Sequence, residues 1–468
     1  MKNLFIGLLA ALGCLTAGAQ TPATHVPTTV NHPDWSRQAV IYEVNLRQYT
    51  PEGTLKAFAS HLPRLRDLGV DILWFMPIHP ISEDGRKGEL GSYYAVKDYK
   101  AVNPEFGTMD DFRDVVKAAH DLGMKVIIDW VPNHSGRDNA WVKEHPDWYA
   151  RDDRGEMFGP FDWTDVYKFD YNNPEMRAAM TDAMAYWLRE ADIDGFRCDV
   201  AGQVPVSFWD ENRKALDGVK SGIFMLAEAT EPELMLHAFD MDYNWPMKDL
   251  FSRIASASGQ YTFADAQGNV RKFDPATAAD IVKLQAEQTA TYPIDSYMMN
   301  MITNHDLNSW EGTEFERLGN LQRAFAVLTY TLPGMPLIYT GQEVGLDRAF
   351  EFFKKDTAPD WQANAETADF YRTLNTLKHS RKELAAGTQG APIEPVATAS
   401  DDVLAFRRGD VLTIVNLGAE EAPVTGAPYD TEGARDIFTG ATAVPATLPA
   451  GGYMVFVKEC EMRNAQFN

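Results

Sequence analysis

The sequence predicts an α/β protein: a (β/α)8 TIM barrel with a small insert after its third strand, followed by an antiparallel β-sandwich. Three observations carry this. Between about residues 39 and 381, short apolar runs alternate with stretches of helical periodicity, joined at Gly and Pro, as in a parallel sheet with crossover helices. The alternation supplies eight strand candidates, the number that closes such a barrel. From about Glu383 the pattern becomes short alternating runs between Gly and Pro turns, which suits a small sandwich.

Taken in order, Ala39 to Leu46 reads as the first strand and Leu55 to Leu68 as one helix stopped by Gly69. Val70 to Met76 is the second strand. Thr108 caps a helix whose apolar face is Phe112, Val115, Val116, Ala119 and Leu122, and Lys125 to Val131 is the third strand. Residues 135–173, rich in Asp, Trp and Gly without clear period, read as an inserted subdomain. Asn173 then caps a helix with Pro174 at its first position. The fourth strand lies in IDGFRCDVAG (193–202), the fifth at Ile223 to Ala227, the sixth at Leu236 to Asp240, the seventh at Met298 to Thr303 and the eighth at Leu337 to Tyr339. Helices near 208–216, 246–257, 276–289, 318–331 and 367–381 fill the gaps, and Val403 to Arg407, Val411 to Leu417 and Gly452 to Val457 form the sandwich. The implied division is 36–382 for the barrel, 135–173 for the insert and 383–460 for the sandwich.

With 468 residues, 45% of them hydrophobic and 24% charged, the chain has ample material for a soluble core. Its formal charge of -24 argues against nucleic acid or an anionic membrane as partner, and an uncharged substrate is easier to accommodate. Lys2, the apolar run from Leu4 to Leu15, and Ala17-Gly18-Ala19 make residues 1–19 a signal peptide, so export to the periplasm or beyond is expected. Cys14 after Gly13 offers lipoprotein anchoring as a lesser alternative. No later stretch is long and apolar enough for membrane insertion. Cys198 and Cys460 then remain, too few for a disulfide framework, and both are expected to be free thiols. Oligomeric state is not set by any of this.

In barrels of this kind the working face lies at the C-terminal ends of the strands. The polar residues there are Asp129, Asn133 and His134 after strand three, Arg197 and Asp199 on four, Glu228 on five, His305 and Asp306 after seven, and Glu343 after eight. In a strand, residues two apart share a face, so Arg197 and Asp199 point together while Phe196 and Cys198 point away. Alone, that pair is an ordinary structural salt bridge. Three carboxylates converging at one mouth change its meaning, because glycoside hydrolysis with retention needs a nucleophile, an acid/base and a group that stabilises an oxocarbenium-like transition state. Arg197 is expected to keep Asp199 anionic. Glu228, flanked in sequence by Phe224 to Ala227, is expected in apolar surroundings that favour its protonated form.

DWVPNH (129–134), GFRCDVAG (195–202), FMLAE (224–228) and ITNHD (302–306) resemble, in order, the four signature segments of the alpha-amylase family, glycoside hydrolase family 13. GMPLIYTGQE (334–343) is similar to its strand-eight segment and GSYYAVKDY (91–99) to its strand-two loop. The resemblance implies Asp199 as nucleophile, Glu228 as acid/base and Asp306 as the third carboxylate. It implies that Arg197, His134 and His305 contact the sugar at the cleavage point and that Tyr94 stacks beneath it. The activity implied is retaining cleavage of alpha-1,4-glucosidic bonds in starch or maltooligosaccharides, through a covalent glucosyl-enzyme and with no cofactor in the chemistry.

Many relatives carry Lys-His where this chain has Gly202-Gln203, the histidine carbonyl binding a structural calcium, so the resemblance leaves Asn133 and a backbone carbonyl, which any residue could supply, as the calcium ligands here. VYKFDY (166–171) matches no family pattern. A transglycosylase, or an alpha-glucosidase acting on alpha-1,6 bonds or sucrose, remains open on the same machinery. A non-catalytic glycan-binding protein is disfavoured by the retention of all three carboxylates, and a metal-dependent hydrolase by the lack of paired metal-ligand spacing. Asp129 and Asn133 read as supports of their loop, Trp74 and Trp130 as core, and Phe161, Trp163, Trp245 and Trp310 as possible sugar platforms.

Overall fold

The computed structural model describes residues 26–261, 273–424 and 429–458; the leader, Cys14 and Cys460 lie outside them. Eight parallel strands close into a barrel in sequential order: β1 (Ile41–Val44), β2 (Ile72–Phe75), β3 (Lys125–Trp130), β4 (Gly195–Cys198), β5 (Phe224–Ala227), β6 (Met241–Tyr243), β7 (Tyr297–Asn300) and β8 (Met335–Tyr339), with β8 pairing back to β1. Strand alternation sorts the side chains. Ile41, Trp74, Ile127, Leu226, Met299 and Leu337 fill the barrel, while Tyr42, Leu73, Phe75, Ile128, Phe196, Cys198 and Met225 pack outward beneath the helices.

The caps stand where the sequence places them. Thr108 and Asp111 form a reciprocal capping box on Met109–Asp121, and Asn173 Oδ1 accepts from the backbone of Glu175 and Met176 at the start of Pro174–Glu190. Three expectations need correction. The helix expected over Leu55 to Leu68 is two, Leu55–Ala59 and Leu62–Leu68, because Pro63 cannot donate back across the junction. The helix expected near 318–331 breaks at Gly319, where φ is +54°. The sixth strand is Met241–Tyr243 rather than Leu236 to Asp240. The apolar Ala238 and Phe239 that suggested it are buried with the outer core, and the chain there follows a short 3-10 turn at Pro232–Met235.

The insert after β3 is organised by a two-stranded antiparallel pair, His134–Gly136 with Val166–Lys168, in which His134 faces Lys168. The segment that matched no pattern therefore supplies the return strand. Tyr99 Oη clasps its root, donating toward the carbonyls of Val131 and His134, each at 2.7 Å. At the C-terminus, Val403–Arg408, Val411–Asn416 and Tyr453–Lys458 form the centre of a five-stranded antiparallel sheet, joined by a two-stranded one. Arg408, 1% exposed, fastens this unit to the barrel by donating to the carbonyls of Leu332 (3.1 Å), Ala385 (3.1 Å) and Ala391 (2.7 Å).

Candidate active site

The site assembles at the C-terminal mouth from residues standing on or just beyond the strand ends. Gly195 opens β4 at φ +152°, where an added Cβ would lie 1.8 Å from the Phe224 carbonyl oxygen. Only glycine lets β4 and β5 pair there, and that pairing sets the height of everything above it. Two residues on, the Arg197 side chain is wholly buried, with its guanidinium among the rings of Trp74, Tyr94 and Tyr243 at 5.1, 5.8 and 5.4 Å. Nη1 donates to Asp129 (2.8 Å) and to Asp199 (3.0 Å), Nε donates to Tyr243 Oη (3.2 Å), and Nη2 makes an ion-pair contact of 2.9 Å with Glu228 Oε2.

Beyond Asp199 the chain turns sharply. Val200 adopts φ +37°, ψ +47°, a conformation that a β-branched residue strongly disfavours. The turn aims the Val200 N–H at Glu228 Oε2, 2.8 Å away. Glu228 therefore faces an arginine and a backbone donor. The apolar surroundings expected from its sequence neighbours are absent, because Phe224 and Leu226 point into the barrel and Met225 and Ala227 out of it.

On the opposite side, His305 Nδ1 meets Glu43 Oε1 at 2.5 Å, and its Nε2 lies 2.7 Å from Tyr94 Oη and 3.3 Å from Asp306. Tyr94 Oη is also 3.1 Å from Asp129 Oδ2, to which Trp74 Nε1 donates at 3.2 Å. One continuous network thus joins Glu43, His305, Tyr94, Asp129, Arg197, Asp199 and Glu228. Asp306 precedes a five-residue π-helical turn, Leu307–Glu311, and its side chain is 29% exposed, against 10% for Asp199 and 8% for Glu228. The three carboxylates form the accessible surface of a site whose cations lie underneath.

The charge balance is unfavourable to ionisation. Burial, then the Glu228 carboxylate, pushes Asp199 well above the usual carboxylate range, and Arg197 only partly offsets them. The expectation that Arg197 would hold Asp199 ionised is corrected accordingly: the guanidinium is shared among three carboxylates. Burial likewise raises Asp129 to about 6 against the pull of Arg197, and raises Asp306 against the pull of His305. For His305 burial works downward, but Asp306 and Glu43 outweigh it and hold the imidazolium up to about 9.

His134 is 1% exposed. Burial lowers it to about 3, its ring bonds the Tyr94 backbone, and it meets Trp163 edge-on at 5.1 Å. Asn133 Oδ1 is buried without a hydrogen-bond partner, yet no group of three or more His, Cys, Asp or Glu is placed to hold a metal among the described residues. Calcium takes six to eight oxygens, backbone carbonyls among them, and of these the Asn133 amide oxygen is the buried acceptor left open here. Glu343 stands in the short 3-10 turn Gln342–Val344 after the eighth strand, where Tyr42 Oη donates to it (2.8 Å) and Arg64 pairs with it (2.9 Å), outside the network around Arg197. Sequence reasoning missed Glu43 and Tyr243. Glu43 was signalled by a lone charge in the apolar run AVIYEVNL; Tyr243 was hidden by the misplaced sixth strand. Trp74 is core, as expected, and also a donor to Asp129.

Carboxylates gathered around one arginine at a barrel mouth are the equipment of a glycoside hydrolase. Comparison with known proteins narrows that class. The model of the alpha-amylase catalytic domain matches residues 28–168 and 145–384, and the chain belongs to the alpha-amylase family. It is 28% identical over 428 residues to the alpha-amylase MalA of Haloarcula japonica, covering 87% of this chain and 59% of that protein. It is 26% identical over 395 residues to a maltogenic alpha-amylase of Bacillus acidopullulyticus, covering 78% and 62%. The chain thus spans about three fifths of the length of these curated relatives. The fold superimposes on the crystal structure of an alpha-amylase from Lactobacillus plantarum with a TM-score of 0.76 and 28% identity, covering 90% of this chain and 99% of that one. For the maltogenic alpha-amylase AmyB from Thermotoga neapolitana the TM-score is 0.74 at 28% identity, covering 90% and 96%.

Proposed function

We propose that the protein hydrolyses alpha-1,4-glucosidic bonds of maltooligosaccharides or starch with retention of configuration. The observation that carries this is the clasp of Asp199 and Glu228 by one guanidinium, Nη1 on the first and Nη2 on the second. Adjacent nitrogens of one planar group draw the two carboxyls together, which favours the close spacing of a double displacement, about 5 Å, over the roughly 6.5–9.5 Å that leaves room for an attacking water.

In this reading Glu228 is the proton donor to the leaving oxygen, and Asp199, bonded to Arg197 Nη1, is the attacking carboxylate. An Asp199 oxygen attacks C1 of the glucosyl unit while Glu228 gives its proton to the departing glycosidic oxygen. Glu228 then takes a proton from water, whose oxygen attacks C1 and releases Asp199. Asp306 grips hydroxyls of the same ring, His305 contacts it and Tyr94 stacks beneath it, and the imidazolium balances charge between Asp306 and Glu43. Similarity to proteins named alpha-amylase and maltogenic alpha-amylase supports the alpha-glucan as substrate.

Proton NMR of maltotriose hydrolysis tests this reading. The α-anomer is expected first, and Asp199→Asn is expected to reduce the rate at least about 10⁴-fold, the order seen when a nucleophile is removed. Initial β-anomer, or near-wild-type turnover by the variant, contradicts the reading.

A further inference from the structure

We infer that Lys248 and Glu311 are positioning residues for the reaction: their buried ion pair fixes the wide turn that carries Asp306, and so sets how that carboxylate meets the sugar. This inference rests on the hydrolase reading above and adds two residues to its machinery. Asp306 needs such support. His305 Nε2 meets its carboxylate at 3.3 Å, beyond the usual range of a hydrogen bond, so the aim of the group is left to its main chain. That main chain, helical at Asp306 with φ −71° and ψ −51°, passes directly into the π-helical turn Leu307–Glu311. Gly312, at φ +110°, closes the turn by donating its N–H to the Leu307 carbonyl at 3.0 Å, a bond from residue i+5 to residue i. A single π turn is rare and satisfies few of its own backbone groups, so it has to be held from outside.

It is fastened at its start, its middle and its end. At the start, Asn304 Oδ1 accepts from the Leu307 N–H (2.8 Å) and the Asn304 carbonyl accepts from the Asn308 N–H (3.0 Å), two bonds that bracket His305 and Asp306. In the middle, the Asn308 side chain is lashed to the loop after β8. Its Oδ1 accepts from the Phe350 N–H (2.9 Å) and its Nδ2 donates to the Arg348 carbonyl (3.1 Å). At the end, Lys248 Nζ donates to both oxygens of Glu311, at 2.9 and 2.8 Å. Both side chains are buried.

Lys248 stands on the helix Trp245–Ala257, which follows β6. That helix also grips β7 itself, because its N-cap residue Asn244 donates its N–H to the Met299 carbonyl (3.1 Å) and its Nδ2 to Asn300 Oδ1 (2.8 Å). One rigid helix thus holds the segment from β7 to the π turn at both ends, by its cap at residues 299 and 300 and by Lys248 at residue 311. Asp306 lies between the two holds. Loss of the ion pair frees the far end alone and leaves the pairing of β7 in the barrel intact. Apolar residues would fill this contact as well as two buried charges do, whereas an ammonium that takes both carboxylate oxygens fixes distance and rotation together.

A double-mutant cycle with Asp306 tests the inference, read as fluoride release from α-maltosyl fluoride. Lys248→Met leaves Glu311 charged and buried, so Lys248→Met/Glu311→Gln, which removes both charges at nearly constant volume, is measured beside it, and unfolding midpoints report which variants fold. With Asp306 present, removal of the pair is expected to lower kcat/KM by about tenfold or more; in an Asp306→Asn background the loss is expected to be about twofold or less. The same loss in both backgrounds means that the pair supports the site in general and overturns the positioning role. Undiminished kcat/KM in the double variant overturns it too, as does failure of that variant to fold, since the barrel has no need of a pair that only aims Asp306. No fluoride release by the wild-type protein overturns the hydrolase reading, and the role of the pair with it.

Discussion

Arg197 meets three carboxylates with one positive charge, and His305 supplies the second cation of the site from below. Asp199, Asp129 and Asp306 are raised together because burial penalises each charge and the two cations, shared among Glu43, Asp129, Asp199, Glu228 and Asp306, offset that only in part. Glu43 is the residue through which this balance can be tuned without touching a reacting group. Its carboxylate and that of Asp306 keep the imidazolium of His305 protonated up to about 9. Glu43→Gln removes one of the two anions, so His305 is expected to lose its proton at lower pH. A downward shift of at least one unit in the His305 NMR titration checks this, together with a basic limb of kcat/KM that moves the same way. An unmoved titration contradicts it.

At the scale of elements, β4 is the piece on which the site depends, because it carries Arg197 inward and turns at Val200 to fix Glu228. Gly195→Ala places a methyl into the Phe224 carbonyl and is expected to destabilise the fold by about 3 kcal/mol or more, beyond the ~1 kcal/mol centre of point substitutions. The measurement is the midpoint of thermal unfolding, and a variant within 1 °C of wild type, by about the size scaling of large domains, contradicts the account. The same element shows what was legible in the sequence. The same-face relation of Arg197 and Asp199 follows from strand period alone, and the order of strand ends brings the candidate groups to one mouth. What could not be read was the environment of each group. Glu228 looked apolar because adjacent residues are apolar, yet strand alternation sends them elsewhere and a left-handed valine supplies its donor. Strand β6 was displaced in the reading because buried loop residues such as Phe239 mimic a strand in one dimension. Glu43 and Tyr243 gain their roles from partners more than forty residues distant.

The whole molecule combines an acidic, uncompensated mouth with a core that contains neutral histidines. His79 is fully buried among Trp130, Trp187 and Tyr99, and burial lowers it to about 4. Because the unfolded chain takes up that proton near 6.5 and the folded chain only near 4, His79 contributes stability that is complete above about 6.5 and lost as pH falls toward 4. His79→Leu is therefore expected to flatten the decline of the unfolding midpoint between pH 6.5 and 4, and an equal slope in the two proteins contradicts this. Across the same molecule the alternation of strand and helix, the insert after β3 and the final antiparallel sheet were all readable, since each has its own periodicity. The joining of the loops after β2 and β8 by Arg47 was not, since its bonds go to backbone carbonyls of Gly91, Leu90 and Phe352, distant in sequence.

The proposed chemistry rests on Asp199 forming a bond to the sugar. The direct measurement is intact-protein mass after incubation with 5-fluoro-α-glucosyl fluoride, followed by peptide mapping. The account predicts one added fluoroglucosyl unit, located on Asp199 and absent in Asp199→Asn. An active protein that acquires no adduct, or carries it on another residue, would contradict it.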